Sequence, residues 1–130
     1  MQLTLELLEQ IVEHARREAP NECCGLVAVR DGRAYEVVEA ENVEASPFRF
    51  NVDSKTLLDV YRIEDEGGRL GAIYHSHTRS EPYPSQTDIA FAKGWPGVEW
   101  LIVGTAGPEP VVRSYLIDSG VVTEVEVEVT

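Results

Sequence analysis

The sequence predicts an α/β fold, a mixed β-sheet flanked by helices. Two local patterns carry that expectation: apolar residues at helical spacing near the N-terminus, and short Val-rich runs bounded by turn dipeptides. Their order along the chain, helix, hairpin, helix, strand, helix and then strands, suits one sheet covered by helices.

Leu8, Ile11, Val12, Ala15 and Ala19 follow helical spacing, Thr4 is a cap and Pro20 a stop, so residues 5 to 19 form an amphipathic helix that covers one sheet face. Cys23 to Arg30 and Arg33 to Ala40 flank Asp31-Gly32, a dipeptide suited to the left-handed backbone of a tight turn, and predict an antiparallel pair. A polar loop with Asn42 and Ser46-Pro47 leads to a short strand over Phe48 to Val52 and a second helix capped near Asp53 or Ser54. Gly67-Gly68 ends that helix. Leu70 to Tyr74 reads as a brief buried strand that delivers His75 at its end. Thr78 to Pro84 reads as a loop, Ser85 to Lys93 as a third helix. Glu99 to Gly104, Val111 to Ile117 and Val121 to Val129 are the later strands, divided by Gly107-Pro108 and Ser119-Gly120. In the last of them valines alternate with glutamates, as expected of an edge strand with one wet face.

At 130 residues and 43% hydrophobic content the chain fits a single domain over residues 1–130, with no internal repeat or dividing linker. Its 11 Lys and Arg against 23 Asp and Glu give a net charge of -12, which repels phosphate backbones and argues against nucleic acid as a partner. No run approaches the roughly 20 apolar residues of a membrane span, and Glu6, Glu9 and Glu13 interrupt the N-terminal leucines of any leader. A cytoplasmic protein with no membrane partner is the expectation. Cys23 and Cys24 are adjacent, so a disulfide between them would be strained, and both read as small buried residues opening a core strand.

His75 and His77 stand two apart at a strand end, so their imidazoles project to one side and can share one ion, with Asp88 able to add an anionic third ligand. Three such ligands leave a fourth position for water, the arrangement of catalytic zinc. Two blander readings stand beside this one. Histidine pairs also occur as packed or surface residues, and Ser85-x-x-Asp88 has the form of a capping box at a helix start. Glu22, taken alone, reads as a solvated helix-end acid.

Taken together, His75-x-His77, seven residues, Ser85, two residues and Asp88 resemble the JAMM motif of MPN-plus zinc peptidases and isopeptidases. The resemblance extends from Ala15-Arg16-Arg17 to Arg113-Ser114-Tyr115, and it implies the cytidine-deaminase-like α/β sandwich of JAMM/MPN domains. It further implies that His75, His77 and Asp88 are zinc ligands, that Glu22 is the catalytic general base, and that Ser85 hydrogen-bonds the oxyanion. Thr78 departs from the motif, since many JAMM sequences have proline after the second histidine. The runs Tyr74-His75-Ser76-His77-Thr78 and Tyr83-Pro84-Ser85 look most like actinobacterial members that release cysteine from a ubiquitin-like sulfur-carrier protein in cysteine biosynthesis.

By that resemblance the substrate is such a carrier, its extended tail pairing with some strand edge so that its last carbonyl meets zinc. A JAMM isopeptidase acting on another ubiquitin-like modifier and a noncatalytic MPN scaffold are the alternatives, although scaffolds commonly lose members of the constellation that this chain retains. A zinc nucleobase deaminase needs His-x-Glu and Pro-Cys-x-x-Cys, which do not occur here. A metal-dependent eight-stranded barrel needs about 250 residues.

Overall fold

The computed structural model of the chain describes residues 1–41 and 54–130. The described elements are β1 (Gln2–Leu3), α1 (Leu5–Glu18), β2 (Cys24–Arg30), β3 (Arg33–Ala40), α2 (Ser54–Asp65), β4 (Arg69–His77), α3 (Gln86–Ala92), β5 (Glu99–Gly104), β6 (Val111–Asp118), β7 (Val121–Val125) and β8 (Glu128–Val129). The expected strand over Phe48 to Val52, the loop before it and a cap at Asp53 lie outside the described residues, and Ser54 is the first residue of α2. No helix among those described is long and apolar enough to cross a membrane.

The strands form one mixed sheet in the order β7-β6-β5-β4-β2-β3-β1-β8. β4 and β5 run parallel, while β2 pairs antiparallel with both β3 and β4. The central strands β2, β4 and β5 are buried almost throughout, because helices cover both sheet faces and leave neither one wet. On one face Ile11 and Ala15 of α1 pack with Val27, Val29, Ala72, Tyr74, Leu101 and Val103. On the other, Val60 of α2 and Ile89 and Ala92 of α3 pack with Cys24, Leu26, Ile73 and Trp100. This is the helix-flanked mixed sheet that the sequence predicts.

The helix starts obey the expected chemistry. The Thr4 hydroxyl accepts from the Leu7 amide at 3.2 Å, relieving one of the orphan donors at the start of α1. Farther along α1, His14 Nδ1 and the Tyr74 hydroxyl meet at 2.7 Å within the core, which ties the helix to β4. Gly25 lies beneath the same tyrosine, where any side chain would overlap the ring. Asp31 and Gly32 both take positive φ, 52° and 78°, as a tight hairpin turn requires.

Two strand expectations need correction. β4 does not stop as His75 begins but continues through His77, because Ser76 and both histidines are buried and keep pairing with β5 up to His77↔Gly104. The single strand expected over Val121 to Val129 is two strands. β7 pairs with β6, whereas β8 pairs with β1 at the opposite end of the strand order, and only Glu126 and Val127 separate them. The sheet therefore curls far enough for one short connection to reach between its two outermost strands. β1, which the sequence did not announce, is parallel to both β3 and β8.

Candidate metal centre

Strand geometry places the central pair. Successive side chains on β4 alternate in direction, so His75 and His77 face the α3 side while Ser76 turns the other way. Helix α3 returns across that side and brings Asp88 to them. All three side chains are buried, His75 completely. His75 Nε2 lies 3.1 Å from His77 Nε2 and 3.1 Å from Asp88 Oδ2, and His77 Nε2 lies 3.4 Å from the same carboxylate oxygen. Donors bound tetrahedrally at about 2 Å from one ion sit about 3.3 Å apart, so this triangle has the size of one face of such a site.

The surroundings aim these atoms. His77 Nδ1 donates to the Glu81 carbonyl at 2.8 Å, which leaves Nε2 as the lone-pair nitrogen facing the cluster. Trp100 meets the His75 ring edge-on, with centroids 6.1 Å apart. The loop that carries Glu81 is anchored in turn by the Tyr115 hydroxyl, which donates to the Pro82 carbonyl at 2.8 Å. Lone pairs on two nitrogens and a carboxylate directed at one point repel one another unless a cation or a shared proton lies between them. The donor set therefore fits a metal ion, and His75, His77 and Asp88 are the residues able to hold it.

Ser85 and Asp88 form the capping box at the start of α3. The Ser85 hydroxyl accepts from the Asp88 amide at 3.2 Å, and Asp88 Oδ2 accepts from the Ser85 amide at 2.8 Å. Capping and metal binding do not exclude each other here, because the Asp88 oxygen that caps the helix is the one facing both histidines.

Glu22 lies on the connection just before β2. Cys24, two residues on, is paired with His75, and the Glu22 carboxyl lies close enough to His77 and Asp88 to feel both charges. It is buried, at 5% exposure, and is not the solvated acid that its position in the sequence alone suggests. Burial pushes its carboxyl up to about 7, with His77 pulling it down and Asp88 pushing it up. For Asp88 burial acts in the same upward direction, but His75, His77 and the Ser85 amide outweigh it and hold the carboxyl well below the usual carboxylate range. For His77 burial opposes the charged form, and the Asp88 carboxylate, the Glu81 carbonyl and Glu22 overcome it, raising its pKa. The cluster draws positive charge to itself.

The family described as prokaryotic homologs of the JAB domain matches residues 4–118, which takes in every residue of this cluster. The chain belongs to this family. Among relatives of this JAB domain is the CysO-cysteine peptidase of Mycobacterium tuberculosis, 38% identical over 128 residues that cover 95% of this chain and 87% of that protein. Another is a probable TtuB-protein conjugate cleaving protease of Thermus thermophilus, 40% identical over 116 residues, 88% of this chain and 74% of that one. The solution structure of protein DSY2949 from Desulfitobacterium hafniense superimposes with a TM-score of 0.84 at 33% identity, covering 99% of this chain and 92% of that one. A structure described as a metalloprotease-like JAMM zinc site in the proteasome and signalosome shares the fold at a TM-score of 0.67 and 20% identity, covering 100% and 97%. The JAMM/MPN sandwich expected from the motif is thus the fold of this JAB domain.

The residues singled out in the sequence, Glu22, His75, His77, Ser85 and Asp88, converge on one place in the fold. Sequence reasoning missed the supporting shell. Ser76 accepts from the Cys23 amide and the Glu81 backbone orients His77. Of these only Ser76 left a trace, as the small polar residue alternating with the histidines, whereas Cys23 and Cys24 are buried at the start of β2 as expected.

Proposed function

We propose that this JAB domain is a zinc peptidase that hydrolyses the amide bond at the C-terminal glycine of a ubiquitin-like sulfur carrier and releases cysteine. The observation that carries the reading is the meeting of His75 Nε2, His77 Nε2 and Asp88 Oδ2 within 3.4 Å of one another, beside a buried carboxylic acid, Glu22. The two named peptidase relatives, one a CysO-cysteine peptidase and one a probable protease of TtuB-protein conjugates, support both the bond type and the kind of substrate.

His75, His77 and Asp88 would hold the ion. Zinc so bound would supply a water whose pKa approaches about 7 and would polarise the scissile carbonyl. Glu22 takes the proton of the attacking water and delivers one to the departing amine, for which a carboxyl with a pKa lifted towards neutrality is suited. The Ser85 hydroxyl oxygen accepts from the Asp88 amide, and its hydrogen remains available to donate to the oxyanion of the tetrahedral intermediate.

Ser85→Ala is expected to lower kcat by about a hundredfold through loss of that donor. It should also destabilise the fold by about 1 kcal/mol through loss of the α3 cap. Rate measurements paired with thermal denaturation separate the two effects, and an unchanged kcat removes Ser85 from the chemistry.

The substrate is tested with a carrier ending in glycine and bearing one extra cysteine through a peptide bond. Mass spectrometry should show loss of a single cysteine residue, dependent on zinc and on Glu22. An isolated tail peptide should react much more slowly, since selectivity requires docking of the carrier body. The Thermus relative favours a second reading, an isopeptidase that removes a ubiquitin-like modifier from protein conjugates. An intact cysteine adduct alongside efficient cleavage of such a conjugate decides for it.

A further inference from the structure

We infer that Thr78 and Ser76 are positioning residues that hold Glu22 against the His75–His77–Asp88 cluster, an inference resting on the catalytic role proposed above for Glu22. The β2–β4 ladder ends at the pair Cys24↔His75, so Glu22 lies beyond the last paired residue, on the connection leaving α1. Hydroxyl side chains at and just past the end of β4 tie that connection down. Ser76 Oγ accepts from the Cys23 amide at 2.8 Å, and the Ser76 amide donates to the Cys23 carbonyl at 3.2 Å. On the other side of Glu22, the Thr78 hydroxyl donates to the Pro20 carbonyl at 2.9 Å.

These bonds reach positions 20 and 23, and Glu22 lies between them. The two hydroxyl residues also alternate with the two histidines in the single run His75-Ser76-His77-Thr78. One stretch of backbone therefore locates the base and the imidazoles together, so that a displacement of one carries the other with it. Catalytic groups misplaced by about 1 Å can lose on the order of a hundredfold in rate, which makes such a tether consequential even where it adds little to stability.

Thr78 is the better test because it is only half-buried, whereas Ser76 is fully enclosed. Thr78→Val preserves shape and removes the hydroxyl. It should lower kcat about tenfold at constant KM, with zinc affinity, measured by chelator competition, and melting temperature unchanged, and Thr78→Ser should restore the rate. Ser76→Ala should give the same signature with a larger fall in kcat. In single-turnover assays, adding Thr78→Val to Glu22→Gln should cause no further loss, because the group being positioned is already gone. Wild-type kcat in Thr78→Val, failure of Thr78→Ser to restore it, or weakened zinc binding in its place would overturn the inference. Near-normal turnover by Glu22→Gln alone would instead overturn the catalytic reading on which it rests.

Discussion

Glu22→Gln is expected to retain fold and zinc while losing between about a hundredfold and ten-thousandfold in kcat, the range that general acid–base groups contribute. The amide keeps the size of the side chain, and because Glu22 is buried and stands apart from the His75, His77 and Asp88 donors, neither packing nor metal content should change. What disappears is the only proposed acceptor of the water proton. One substitution therefore blocks both water activation and protonation of the leaving amine. The pH profile should carry the same signature. As the proposed base Glu22 would work only when ionised, and burial lifts its carboxyl up to about 7, so kcat/KM should fall as pH drops and the carboxylate takes up a proton. A bound dication would favour the carboxylate and move this fall to lower pH. A zinc-loaded Glu22→Gln protein that turns over at the wild-type rate, or a wild-type profile with no acid limb, would refute the role.

The combined His75→Ala, His77→Ala variant should lose zinc and all detectable turnover. Wild-type protein should carry one zinc per chain by elemental analysis, since two imidazoles and a carboxylate match zinc's preferences while leaving an open position. With both rings gone, Asp88 is the one donor left of that group, and a lone carboxylate does not reproduce the affinity. Wild-type protein stripped by a chelator should lose activity in parallel and regain it when zinc is returned. Full zinc occupancy in the double variant would mean that the metal binds elsewhere and that the histidines are packing residues.

The legible parts of the fold were those with local chemical causes. Thr4 and Ser85 mark helix starts because each hydroxyl satisfies an amide three residues on, and Asp31-Gly32 marks a hairpin because few other dipeptides tolerate its backbone. The parts that were hidden depend on distant partners. β1 spans Gln2–Leu3, too short to show any period, and is a strand only because β3 and β8 flank it. The break between β7 and β8 falls in an unbroken Val/Glu alternation without glycine or proline, so it follows from the curl of the sheet and not from turn chemistry. β4 was drawn too short because His75, Ser76 and His77 look polar, although together they are buried against β2, β5 and α3.

The candidate site was legible as a pattern of residue types, since two histidines alternating along a strand and an acid in the first turn of a helix can bring nitrogen and oxygen donors to one point. Its support was less so. The Glu81 carbonyl that orients His77 is main chain, which any residue supplies, and so leaves no mark on the sequence.

The place of β4 within the sheet limits how a substrate tail can arrive. Counting along the sheet, β7 is three strands from β4 in one direction and β8 is four strands away in the other. At about 4.8 Å per strand, a tail added outside β7 would run about 19 Å from the histidines, measured along the sheet, and one outside β8 about 24 Å away. Among the described residues, neither outer border of the sheet lies beside the cluster. On the proposed function a tail would therefore come end-on, over the tip of a central strand and past the segments around residues 20–23 and 78–84, and its guiding contacts would belong to connections between elements and not to the margins of the sheet.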